Sequence, residues 1–122
     1  MKFRAGILAA ILLIGLMQSA AGADEVPAEI DYLLTTMGGS DCTFIRNGKE
    51  YDAEDAEAHL RMKYRRGKRY AKTTEDFIDN LASRSSMSKK PYHIACDQQA
   101  TVESGAWLMQ LLEEYRARPD DR

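Results

Sequence analysis

Two basic residues, Lys2 and Arg4, then an apolar run from Ala5 to Met17, then the small residues Ser19-Ala20-Ala21-Gly22-Ala23 open this chain in the order charge, core, cleavage site. That order reads as a secretory signal over residues 1–23, and it limits everything downstream. Cleavage after Ala23, with Ala21 as second choice, leaves residues 24–122 as one small domain with an ordered core over about 26–116, which excludes a multidomain enzyme. The apolar run is shorter than the roughly 20 residues a membrane-spanning helix needs, and no cysteine lies near the cut to carry a lipid. The expectation is a processed periplasmic protein with no transmembrane segment left.

The cysteines agree with export. Cys42 and Cys96 are the only two, and a pair in a small exported domain reads as a disulfide. Two buried thiols are the alternative. Closing so long a loop stabilises a fold by about 4 kcal/mol in the chain-entropy model. A redox pair is disfavoured, because the spacing is nothing like Cys-x-x-Cys.

Periodicity orders the rest. Ile30, Leu33, Leu34 and Met37 form an i, i+3, i+4, i+7 stripe behind Pro27, with Gly38-Gly39 as the stop. Thr43-Phe44-Ile45-Arg46, the turn pair Asn47-Gly48 and a return through Lys49-Glu50-Tyr51 predict a β-hairpin. Asp52 with Asp55 predicts the cap of a second helix reaching about Ala71, with Ala56, Leu60 and Tyr64 on its core face and a bend at Gly67. Thr73 with Asp76 starts a third helix burying Phe77, Ile78, Leu81 and Ala82, and the serines from Ser83 to Ser88 end it. Pro91 introduces a strand through Cys96, and Ser104 is the expected cap of a last helix carrying Trp107, Leu108, Leu111, Leu112 and Tyr115 on one side. The predicted class is α+β: a small antiparallel sheet, a hairpin plus one strand, packed against about four helices.

Charge is uneven. The whole chain is net −2, and without the leader's two bases it is more acidic still, which argues against nucleic acid as partner. Yet seven bases lie between Arg61 and Lys72 after five acids between Glu50 and Glu57. They read either as an anion-binding face or as a solvated helix with charges matched to its dipole. His59 follows Asp55 by one turn, so a hydrogen bond from imidazole to that carboxylate is expected, either at the surface or in acid–base work. No metal or cofactor is called for: there is no His-Glu-x-x-His helix, Gly-rich phosphate loop or calcium loop. Nor is there a Gly-x-Ser-x-Gly nucleophile elbow.

Four segments in order, Phe44 to Glu50, Ala58 to Lys63, Thr74 to Asp79 and Ala82 to Ser86 followed by Lys90-Pro91-Tyr92, resemble the YfeK-like family of small bacterial periplasmic proteins, a domain of unknown function. The likeness runs over about residues 29–115. It implies a Gram-negative envelope location and no activity to carry over. The chain departs from the family pattern at Lys89, where glycine is expected before Lys-Pro-Tyr.

If these segments converge, Arg46 and Lys90 hold an anionic group, Ser85 and Ser86 add hydrogen bonds, and His59 makes the surface pH-sensitive. The reading is a non-catalytic periplasmic binding or adaptor module using Arg46, Asn47, His59, Arg61, Ser85, Ser86 and Lys90. Its partner is an anionic envelope component or another periplasmic protein. The alternatives are a small envelope hydrolase or transferase using His59 with Asp55, and a structural envelope protein.

Overall fold

The computed structural model describes residues 25–119; the leader read over residues 1–23 lies outside the described residues. Helix α1 (Ala28–Gly38) starts from Pro27 at its N-cap and buries Ile30, Leu33, Leu34 and Met37. Strands β1 (Thr43–Arg46) and β2 (Lys49–Tyr51) form the hairpin. Asn47 and Gly48 take φ of 52° and 75°, the left-handed pair that a tight hairpin turn demands.

Helix α2 (Ala53–Gly67) is capped by the Asp52 carboxylate, which accepts the Asp55 N–H at 2.8 Å. It stops at Gly67, short of the expected Ala71, and one 3-10 turn over Lys68–Tyr70 follows. A Cβ at Gly67 would sit 2.9 Å from a Leu81 methyl, so Leu81 packs directly on the backbone where the helix ends. Helix α3 (Thr74–Phe77), capped by the Thr73 hydroxyl, widens into a π-helical turn over Ile78–Ala82. Phe77, Ile78, Leu81 and Ala82 are all buried, as the periodicity requires.

Strand β3 (His93–Ala95) is followed by β4 (Val102–Glu103) and helix α4 (Ser104–Arg116). The fold is therefore α+β, and its antiparallel sheet has the order β2-β1-β3-β4. The fourth strand goes beyond the sequence reading: two exposed residues paired with His93 and Ile94 carry no periodicity of their own. Ser104 does not cap α4. Glu103 still belongs to the sheet, so the chain passes straight from strand to helix and Ser104 faces inward, its N–H bonded to the Tyr92 carbonyl at 2.9 Å. Its buried hydroxyl has no hydrogen-bond partner among the described residues.

A disulfide joins Cys42 to Cys96, beside the register that sets Thr43 against Ala95 and Phe44 against Ile94. Phe44 and Ile94 face the helices, and the core between them gathers the α1 stripe, Leu60, Phe77, Leu108 and Leu112. Ion pairs lie around this core: Arg61 with Asp31 and Glu57, Arg116 with Glu29 and Glu75. Among the described residues no helix is long and apolar enough to cross a membrane.

Candidate functional site

Side chains two apart on a strand share a face, so Arg46 points the same way as the buried Phe44. It reaches past the end of the core toward α2. On α2, His59, Met62, Lys63 and Arg66 stand at i, i+3, i+4 and i+7, one stripe beside the core stripe. The third wall is the loop after α3, held in place by Ser85, whose N–H bonds the Lys90 carbonyl and whose own carbonyl accepts the Lys89 N–H, both at 3.0 Å. Between the walls lies an open cleft of about 600 Å³.

Its floor is a run of polar contacts. Arg46 Nη1 lies 2.8 Å from His59 Nδ1 and 2.9 Å from Nε2, while Nη2 donates to the Tyr51 hydroxyl at 3.0 Å. His59 Nε2 is 3.2 Å from the Tyr92 hydroxyl, which accepts from Lys63 Nζ at 3.0 Å. Lys63 also donates to the Arg84 carbonyl at 2.9 Å. A guanidinium only donates, so His59 meets it as a neutral imidazole. Burial first, then the charges of Arg46 and Lys63, push the His59 pKa down to about 4. Burial, then Arg46 and Lys89, pull Lys63 down to about 8. Tyr92 is shifted upward, chiefly by burial, and keeps its proton at neutral pH.

Lys63 is the physical anomaly. It is only 8% exposed, and its partners are a carbonyl and a phenol rather than a carboxylate. Burying a cation without a counter-charge is costly. The same holds around it: Arg46, Lys49, Lys63 and Arg66 all line the cleft, and among the described residues no Asp or Glu does.

Of the residues singled out from sequence, Arg46, Asn47, His59, Ser85 and Ser86 come together here, and Ser88 ties the loop to the hairpin by donating to Asn47 Oδ1 at 2.6 Å. Arg61 and Lys90 do not line the cleft. Two residues on from His59 a helix has turned about 200°, so Arg61 points away and is held by Asp31, Glu57 and Thr35. Lys90 is exposed and enters the structure through its backbone, bonded to Ser85 and Ser88. The expected hydrogen bond of His59 to Asp55 is replaced by those to Arg46 and Tyr92. Lys63, Tyr92 and Tyr51 were missed; for Lys63 the signal was its place one turn beyond His59.

A family model described as a family of unknown function, DUF5329, matches residues 24–116. The chain belongs to this family. The resemblance carried by the four sequence segments is thus established. This DUF5329 member is similar to the uncharacterized protein YfeK of Salmonella typhimurium, 41% identical over 66 residues that cover 53% of this chain and 55% of that relative. It therefore spans only about 55% of the length of that curated relative. No solved structure matches it.

Proposed function

We propose that the chain is a non-catalytic periplasmic binding module whose cleft between β1, α2 and the Ser83–Lys90 loop takes an anionic group. One observation carries this reading: among the described residues four cationic side chains and no carboxylate line the cleft, in a chain that is acidic overall. An anion seated there supplies the counter-charge that the buried Lys63 lacks. Arg46 presents a planar fork suited to phosphate, sulfate or carboxylate oxygens, and Ser86 adds a hydroxyl at the rim. Two tyrosines and Met62 line the rest, so the site has the mix of apolar wall and few polar anchors usual for small ligands. His59, facing a guanidinium, is poorly placed to take a proton from a nucleophile, which favours binding over hydrolysis.

Calorimetric titration of the purified protein with sodium sulfate tests this. Saturable binding, with a Kd on the order of 1 mM for so small an anion, is expected, and Arg46→Gln should remove it while the far-ultraviolet circular dichroism stays unchanged. No heat above dilution from the wild type, or full binding by Arg46→Gln, would overturn it.

A further inference from the structure

The cleft does not end at Lys63. Lys63, Arg66, Ser85 and Ser86 are also the near wall of a second cavity of about 420 Å³, which runs on toward Tyr70, Asn80, Arg84 and Lys89. The two cavities thus form one trough with a shared ridge. Among the described residues the second lobe again has cations and no carboxylate on its walls, and Asp79 and Glu103 line a separate cavity that Arg84 and Lys89 also border. Its charges and those of the first act on the same group, since both Arg46 and Lys89 depress the pKa of Lys63.

Lys89 has φ of 63°, the left-handed region. That backbone is strained for a residue with a Cβ and free for glycine. The chain therefore carries a charged side chain where glycine would sit more easily, and that side chain lines the second lobe. The hydrogen bond from the Lys89 N–H to the Ser85 carbonyl holds the loop in this conformation and so fixes where the Lys89 side chain leaves the backbone. Each lobe also has an exposed apolar side chain on its lining, Met87 on the first, 95% exposed, and Tyr70 on the second, 52% exposed.

A ligand with a single anionic group fills one lobe and leaves the cations of the other without a ligand. We propose, resting on the anion-binding reading above, that the ligand carries two phosphate-type groups on one short scaffold, the first held by Arg46 with Lys63 and the second by Arg84 with Lys89. That chemistry has two sources, a soluble condensed phosphate or a lipid headgroup with two phosphates, and the test separates them.

The test compares orthophosphate with tripolyphosphate by calorimetry at constant ionic strength, on the wild type, on Arg46→Gln, and on Arg84→Gln combined with Lys89→Gly. The glycine relaxes a left-handed residue, so the double variant is expected to fold. Tripolyphosphate should bind the wild type at least about tenfold more tightly than orthophosphate. The double variant should lose most of that gain while holding orthophosphate within about twofold, a change worth less than the free energy of a surface ion pair. Arg46→Gln should weaken both ligands. A tenfold gain that survives in the double variant overturns the two-lobe proposal and leaves the single-anion site intact. Tripolyphosphate binding no tighter than orthophosphate overturns the two-lobe proposal alone, and failure of both phosphates to bind the wild type overturns both readings. For the source, protein is pelleted with phosphatidylcholine vesicles carrying either cardiolipin or phosphatidylglycerol at equal total charge. Preference for cardiolipin supports the proposal with a lipid ligand. Equal recovery on both vesicles, together with tight tripolyphosphate binding, supports it with a soluble one.

Discussion

Ser88 donates a 2.6 Å hydrogen bond to the side-chain oxygen of Asn47, 41 residues earlier in the chain, and so fastens the loop after α3 to the hairpin tip. Both residues are exposed, so the bond adds little to global stability, about 0.5–1 kcal/mol at most. Its effect is on geometry: it holds Ser86, Met87 and Ser88 over the cleft that Arg46 and His59 line. Ser88→Ala should lower the melting temperature by no more than a few degrees. It should speed amide exchange at Ser85 and Lys89, whose N–H groups close this loop, and weaken sulfate binding several-fold. Unchanged exchange at those amides would show that the loop stands without the tie.

How far this site could be read in advance depended on whether a residue's neighbours were local. Asn47-Gly48, the α1 stripe and the Asp52 and Thr73 caps are decided within a few residues, and each stands where its chemistry placed it. Arg46, His59 and the serines lie in separate segments that the fold brings to one cleft. Lys63 is not legible as a site residue because it sits among seven bases, where a lysine reads as solvated; only the packing of Tyr92 and the Arg84 carbonyl over α2 buries it. Arg61, from the same run, faces the opposite side of the helix and pairs with carboxylates. Sequence spacing ranks the two alike, and tertiary contact separates them.

His59 makes folding stability depend on mildly acidic pH. Its folded pKa, about 4, lies below the ordinary 6.5 because burial and the Arg46 and Lys63 charges oppose protonation. Between those values the unfolded chain takes up a proton that the folded chain refuses, so stability falls as pH drops from about 6.5 toward 4 and is unaffected above. Urea denaturation at several pH values across that window should show a shallower decline for His59→Gln than for the wild type. Parallel curves would mean that His59 is protonated in the folded state without cost.

Lys63 acts at the other end of the scale. With its pKa pulled from 10.5 to about 8, the folded chain releases this proton before the unfolded chain does. Stability from this residue therefore rises as pH climbs from about 8 toward 10.5, because the buried charge is shed first in the folded state. Anion affinity should move the opposite way, falling once pH passes about 8 as the cleft loses a cation. Sulfate, whose own charge is constant over this range, isolates the effect. Its Kd should weaken between pH 7 and 9 in the wild type, and the change should be absent in Lys63→Met. A wild-type affinity flat across that interval would place Lys63 outside the binding site.

The disulfide should carry a large share of the stability that keeps the cleft assembled. Cys42 precedes β1 and Cys96 follows β3, and between them lie the hairpin, α2, α3 and the serine loop, all three cleft walls. Cross-linking positions 54 apart removes conformations from the unfolded chain, worth about 4 kcal/mol in the chain-entropy model. The β1–β3 pairing it accompanies is only three residues long, so the sheet has little else to hold its centre strands in register. Cys42→Ser combined with Cys96→Ser, or reduction of the wild type, should lower the unfolding free energy by about that amount and weaken sulfate binding in step with the folded fraction. A thiol count on denatured, unreduced protein should find none free; two free thiols would mean that the bond does not form. A reduced protein that unfolds at the same urea concentration as the oxidised one would show that packing alone holds β1 to β3.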